Sequence, residues 1–221
     1  MKHLRFAKQR FDSVADPMAK VAFMLLPLGT LLAFIGSDER HHRDMRARAL
    51  KLLKKLDRKC AVAIGLSADW GIVTQAFLRL FDKTSHDIAK THADIVAFKT
   101  VLRVLFEEGS VFYRRDFPGI DGQPAAATRA SSSLPAIGGY LGSEGVRPAF
   151  VTQSVEKTIK RRVVFNCGTE QVALWGPPKA EDVKDMALRL KFVTAQVIDR
   201  VDAEFGHLSA CLLYTSPSPR D

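Results

Sequence analysis

The longest apolar stretch of the chain, MAKVAFMLLPLGTLLAFIG at residues 18–36, most constrains the fold. No charged residue interrupts residues 21–36, and Pro27 lies inside them. Spanning a bilayer takes about 20 apolar residues, so this stretch is of borderline length. Three interpretations are open: a buried core helix, a short membrane-spanning helix, or a helix lying in the membrane interface. In each case other elements or lipid must cover the stretch.

Positive charge is concentrated beside this apolar stretch. The chain has a formal net charge of +9. Residues 1–60 hold 14 Lys and Arg against 6 Asp and Glu, whereas the other 161 residues hold 19 against 18. A local excess of this kind indicates a local anionic partner, either the surface of an anionic membrane or the phosphates of a nucleic acid.

Residues 39–60, ERHHRDMRARALKLLKKLDRKC, predict a basic amphipathic helix. Its apolar stripe recurs at spacings of three and four: Met45, Ala49, Leu52, Leu53 and Leu56. The candidate residues for binding an anionic surface are the cations around that stripe: Arg43, Arg46, Arg48, Lys51, Lys54, Lys55, Arg58 and Lys59. Such a helix is typical of membrane surfaces or nucleic-acid contacts, and an ordinary solvated surface helix has the same pattern. No aromatic residue lies between Arg40 and Lys59, which argues against stacking on single-stranded bases but leaves contact with a phosphate backbone open.

The remaining sequence predicts further helices and one hairpin. Apolar spacing predicts helices over residues 67–82 and 84–109. Two β-branched runs around Gly168 predict a β-hairpin over 161–175. A long helix follows over 179–206, with a stripe that could pair with a partner helix: Val183, Met186, Leu190, Val193, Val197 and Val201.

The expected fold class is therefore mainly α, with a helical N-terminal unit and a small C-terminal unit of one β-hairpin and one long helix. By composition we divide the chain into residues 1–60 (apolar run and basic helix), 61–117 (helical core), 118–148 (a linker rich in Gly, Pro, Ala and Ser) and 149–210 (hairpin and long helix). The last eleven residues, CLLYTSPSPRD at 211–221, fit the translation of a transposase-based sequencing adapter, so we expect Ala210 to be the last natural residue.

One short motif suggests metal chemistry. HDIAK at residues 86–90 resembles the His-Asp signature of the HD-domain metal phosphohydrolases. The resemblance implies that His86 and Asp87, an earlier His (here His41 or His42) and a later Asp bind one or two divalent metals. It also implies that the metals activate water against a phosphoester. The same residues also fit a helix start, because Thr84 followed by Asp87 is a capping pattern and His86 would then be an exposed first-turn residue.

The cysteines point to neither a disulfide framework nor a zinc cluster. Outside the last eleven residues only Cys60 and Cys167 remain, without CxxC spacing. A reducing, intracellular compartment is expected. Together these features predict a non-catalytic interaction protein without a cofactor, which docks through its basic N-terminal segment on an anionic surface. A membrane is favoured over nucleic acid because the apolar run and the basic helix are adjacent. The metal-dependent phosphohydrolase is the third hypothesis.

Overall fold

The structure is a computed structural model that describes residues 12–81, 91–112, 151–177 and 179–214. The helices are α1 (Asp12–Phe23), α2 (Leu25–Ser37), α3 (Arg43–Lys55), α4 (Arg58–Phe81), α5 (Thr91–Leu102), α6 (Val151–Ile159) and α7 (Ala180–Tyr214). A π-helical turn (Arg103–Glu107) continues α5, and a 3₁₀ turn (Ser110–Phe112) follows it. Strands β1 (Val163–Cys167) and β2 (Glu170–Leu174) pair antiparallel. The predicted fold class, mainly α with one hairpin, is confirmed.

The chain forms two compact units, each built from separated segments. The first contains Met1–Gln75 and Ala149–Val183, and the second contains Ala76–Pro148 and Lys184–Asp221. The linker predicted at 118–148 lies outside the described residues. The division of the sequence by composition stays a prediction.

The first unit has the hairpin lying over two packed helices. Helices α2 and α3 contact each other, β1 contacts α2, and β2 contacts α3. The chain turns between the strands at Gly168, whose φ of 72° is a conformation that glycine adopts without strain. The inward side of the hairpin is buried through alternate residues: Phe165, Cys167, Val172 and Leu174.

A glycine lets the hairpin approach α2 closely. A Cβ atom placed on Gly29 would lie 2.7 Å from Cζ of Phe165, well inside van der Waals contact. The same Phe165 ring meets Trp175 edge-on, with ring centroids 5.8 Å apart. Gly29 therefore sets the distance between helix and strand.

Helices α4 and α6 are joined by buried polar groups. The carboxylate of Asp69 on α4 accepts hydrogen bonds from the Val151 and Thr152 backbone N–H groups and from the Thr152 hydroxyl, at 2.6–2.8 Å. These N–H groups open α6 and have no partner inside the helix, so Asp69 caps α6 from another element. Arg58 forms an ion pair with Glu156 at 2.6 Å and donates to the Gly176 carbonyl at 2.6 Å.

The second unit has its own apolar core. The rings of Phe77 and Phe98 stack with centroids 4.0 Å apart. Leu102, Leu105 and Phe106 are fully buried around the π-helical turn. Lys99 and Asp202 form an ion pair between α5 and α7.

The apolar stretch at 18–36 forms parts of two helices rather than one. Helix α1 ends at Phe23 and α2 begins at Leu25, with a bend of 75° between them. Pro27 lacks a backbone N–H, and its ring would clash with the carbonyl four residues earlier, which belongs to Phe23. The proline thus accounts for the position of the break.

Candidate anionic-surface site

Helix α2 is apolar on both faces, but only one face is covered. Leu25, Gly29 and Ala33 are buried against the rest of the first unit. The other side, named here the α2 apolar face, consists of exposed residues at and after the bend: Phe23, Met24, Leu26, Leu31 and Phe34. Phe23 is 64% exposed, and Leu31 and Phe34 are each 53% exposed. An exposed apolar patch of this kind makes the α2 apolar face a candidate interaction surface.

Within the described residues, no individual helix is both long enough and apolar enough to cross a membrane. By length and composition alone, α1 and α2 taken together are long and apolar enough, as a pair bent by 75° at their junction.

Helix α3 buries a narrower stripe than its sequence predicts. Ala49 and Leu53 are buried, and so is Leu56 directly after the helix. Met45 and Leu52 are 51% and 56% exposed. They are seven residues apart, so they lie on the same flank of the helix and form the edge of the predicted stripe that the rest of the unit leaves uncovered.

The structure separates the eight candidate cations into two groups. Three are committed to contacts inside the first unit: Arg58 with Glu156 (2.6 Å), Lys54 with Glu170 (2.6 Å) and Lys59 with Asp182 (3.1 Å). The guanidinium-bearing side chain of Arg58 is only 11% exposed, so it acts as a structural link. The other five form no ion pair with any acid in the described ranges, and we name them the α3 basic face: Arg43, Arg46, Arg48, Lys51 and Lys55.

A second basic cluster covers the end of α6 and the turn that leads into β1. Its members are exposed and close in sequence: Lys157, Lys160, Arg161 and Arg162. No acid interrupts residues 157–162, and none of these four cations is ion-paired within the part of the chain that the structure describes. The sequence analysis did not single out this cluster, although the run KTIKRR was a visible signal for it.

An open groove of about 350 Å³ runs between α2 and β1. Leu26, Thr30 and Phe34 line it on the helix side, and Val163–Asn166 line it on the strand side. The Thr30 hydroxyl donates to the Leu26 carbonyl of its own helix. The Ser37 hydroxyl at the end of the groove likewise donates to the Phe34 carbonyl. Since both hydroxyl protons are used within α2, the walls present mainly apolar surface.

The residues proposed for a metal are not assembled by the described part of the chain. His86 and Asp87 lie outside the described residues. The ring of His42 caps α3 by accepting from the Asp44 N–H at 3.4 Å, and His41 Nε2 is 3.9 Å from the Asp38 carboxylate. Among the described residues, no three His, Cys, Asp or Glu side chains are grouped so that they could hold a metal ion. Cys60 and Cys167 are free thiols, and burial raises the pKa of each.

No protein-family model, curated protein or solved structure matches this chain.

Proposed function

We propose that this protein attaches peripherally to anionic membrane surfaces through the α2 apolar face and the α3 basic face. The observation that carries the proposal is the pairing of the two faces on adjacent packed helices. Helix α2 leaves large apolar side chains exposed, and its neighbour α3 leaves five cations without an acidic partner among the described residues. An interfacial surface needs both features, because apolar side chains enter the headgroup boundary while cations remain at the phosphates.

The magnitudes favour a reversible attachment. A cation near an anionic membrane contributes about 1 kcal/mol, so the five cations of the α3 basic face supply a substantial attraction. Apolar burial adds about 25 cal/mol for each Å² removed from water. The flank of α3 that carries Met45 and Leu52 adds apolar area among the cations, where long Lys and Arg stems can lie along it.

The test is sedimentation of the full chain with vesicles of neutral lipid and with vesicles that contain an anionic lipid. We expect binding to the anionic vesicles and weakening of that binding by salt, because salt screens exposed charges. The triple variant R48Q/K51Q/K55Q should bind about a hundredfold more weakly, since three contacts of about 1 kcal/mol are lost.

The matched control is K184Q/K191Q/R200Q, which removes the same charge from three exposed cations of α7. It should retain most of the binding. Equal loss in both variants would mean that net charge rather than the α3 basic face drives attachment. Equal binding to neutral and anionic vesicles would contradict the proposal.

A further inference from the structure

The groove between α2 and β1 has a definite orientation relative to the cluster at 157–162. Phe165 lies against Gly29, and three residues later Gly168 lies close to Ser37. A Cβ atom placed on Gly168 would be 3.9 Å from the Ser37 Cβ. Strand β1 therefore runs in the same direction as α2. Moving back from Phe165 toward Arg162 leads toward the start of α2, where Phe23 and Met24 are exposed.

The cations thus stand at one end of the groove. Arg161 and Arg162 immediately precede Val163, which lines the groove, and one strand residue spans only about 3.3 Å. Lys157 lies in the last turn of α6, and Lys160 lies in the turn that follows the helix. The Thr30 and Ser37 hydroxyls already donate to carbonyls of α2, so a bound molecule need not accept hydrogen bonds from them.

An occupant that matches both features has an apolar body and an anionic head. We infer that the groove binds one acyl chain of an anionic membrane lipid, whose headgroup contacts Lys160, Arg161 and Arg162. This inference rests on the proposed membrane attachment and names the lipid feature that the first unit recognises. A volume of about 350 Å³ falls in the range of small-molecule sites, which are mostly apolar with a few polar groups at fixed positions.

The probe is dodecyl phosphate, held below its micellar concentration and titrated into the full chain by calorimetry. Dodecyl maltoside, also held below its micellar concentration, is the control for the alkyl chain without an anionic head. Inorganic phosphate is the control for the anionic head without an alkyl chain. We expect one dodecyl phosphate to bind per protein chain. Neither control ligand should give a saturable binding curve. The amide NMR signals of Val164 and Asn166 should shift with dodecyl phosphate, because these residues line the groove.

Two variants test the two halves of the site separately. R161Q/R162Q should weaken dodecyl phosphate binding about tenfold, because two exposed ion pairs are individually weak but add. T30W should abolish it by filling the groove from an exposed position whose hydroxyl, among the described residues, bonds only within its own helix. K184Q/K191Q removes the same charge as R161Q/R162Q elsewhere and should leave binding unchanged.

Several outcomes would overturn the inference. Equal binding of dodecyl maltoside, or full binding by both R161Q/R162Q and T30W, would place the contact elsewhere. A wild-type dimer that T30W converts to monomer would mean that a second copy of the chain occupies the groove. Anionic vesicles bound without any dodecyl phosphate bound would remove the lipid groove and leave the proposed function standing. Dodecyl phosphate bound without any binding to anionic vesicles would remove the membrane attachment and, with it, a membrane lipid as the occupant of the groove.

Discussion

Asp69 shows how one buried carboxylate defines the start of a helix. It is 2% exposed and accepts three hydrogen bonds at the beginning of α6. Burial raises the pKa of Asp69, and the hydrogen bonds from Thr152 and Val151 offset only part of that rise. The carboxylate is therefore a polar anchor that becomes easier to protonate when the protein folds.

We expect this anchor to make the folding stability depend on pH in a definite direction. Because the pKa is higher in the folded state than in the unfolded state, the folded state binds the proton more tightly. The contribution of Asp69 to the free energy of unfolding should fall as pH rises from about 4, the unfolded pKa, to the folded value. Denaturant unfolding of wild type and D69N at several pH values isolates the effect. If the free energy of unfolding of wild type minus that of D69N instead increased with rising pH across that window, the prediction would be contradicted.

The ion pair between Arg58 and Glu156 gives a second prediction. Both side chains are nearly buried, so removing one partner leaves a buried charge without compensation. R58M should lower the free energy of unfolding by roughly 3–5 kcal/mol. The double variant R58M/E156L should recover most of that loss, because an apolar pair can replace a buried ion pair. Chemical denaturation measures both, and a double variant as unstable as R58M would show that the ion pair itself is required.

Two elements could be predicted from sequence, because their local apolar pattern and turn residues define them without tertiary contacts. The hairpin was predicted over 161–175 and occupies 163–174, because two β-branched runs flank a glycine turn. Helix α7 was likewise predicted as a long element starting after Pro178, and it begins at Ala180. The proposed partner helix for α7 stays a prediction.

Other boundaries depend on contacts that local sequence does not contain. Helix α3 ends at Lys55, and the indole N–H of Trp175 donates to the Leu56 carbonyl just after it, from 119 residues away. Helix α6 was not predicted, although Val151, Val155 and Ile159 recur every four residues and are buried. The burial of Ala49 and the exposure of Met45 likewise follow from where α2 packs on α3. Sequence periodicity predicted one basic helix over 39–60, but the structure ends α3 at Lys55 and places Arg58 and Lys59 in the first turn of α4. Periodicity also did not show which of the cations are paired.

At the scale of one element, we expect the α2 apolar face to contribute to membrane attachment independently of charge. L31S/F34S should weaken vesicle binding about thirtyfold, because two half-exposed side chains together lose about 2 kcal/mol of apolar burial. The matched control is L188S/F192S, which changes a Leu and a Phe that are 67% and 63% exposed on α7. The fold of each variant is checked by circular dichroism. Equal binding by both variants would exclude α2 from the membrane contact.

For the whole molecule, salt dependence separates a membrane partner from a nucleic acid. Duplex binding falls linearly with salt on logarithmic axes, with a slope set by the number of phosphates contacted. Because the proposed attachment to lipid also uses the α2 apolar face, we expect vesicle binding to retain a component that salt does not remove. We expect a shallower salt slope for anionic vesicles than for duplex DNA. If the protein bound duplex DNA more tightly than anionic vesicles, and L31S/F34S left the duplex binding unchanged, the nucleic-acid hypothesis would be favoured.

The way in which the first unit is assembled has a consequence for its synthesis. Arg58 reaches the carbonyl of Gly176 across 118 residues, and the hairpin that covers α2 and α3 comes equally late in the chain. At about 5–20 residues per second, a ribosome needs roughly 6–24 s to pass from the first partner to the second. During that interval the side of α2 that Phe165 later covers stays uncovered, in addition to the α2 apolar face. The nascent chain therefore exposes more apolar surface than the folded protein does, and this surface is accessible to chaperones or membranes during synthesis.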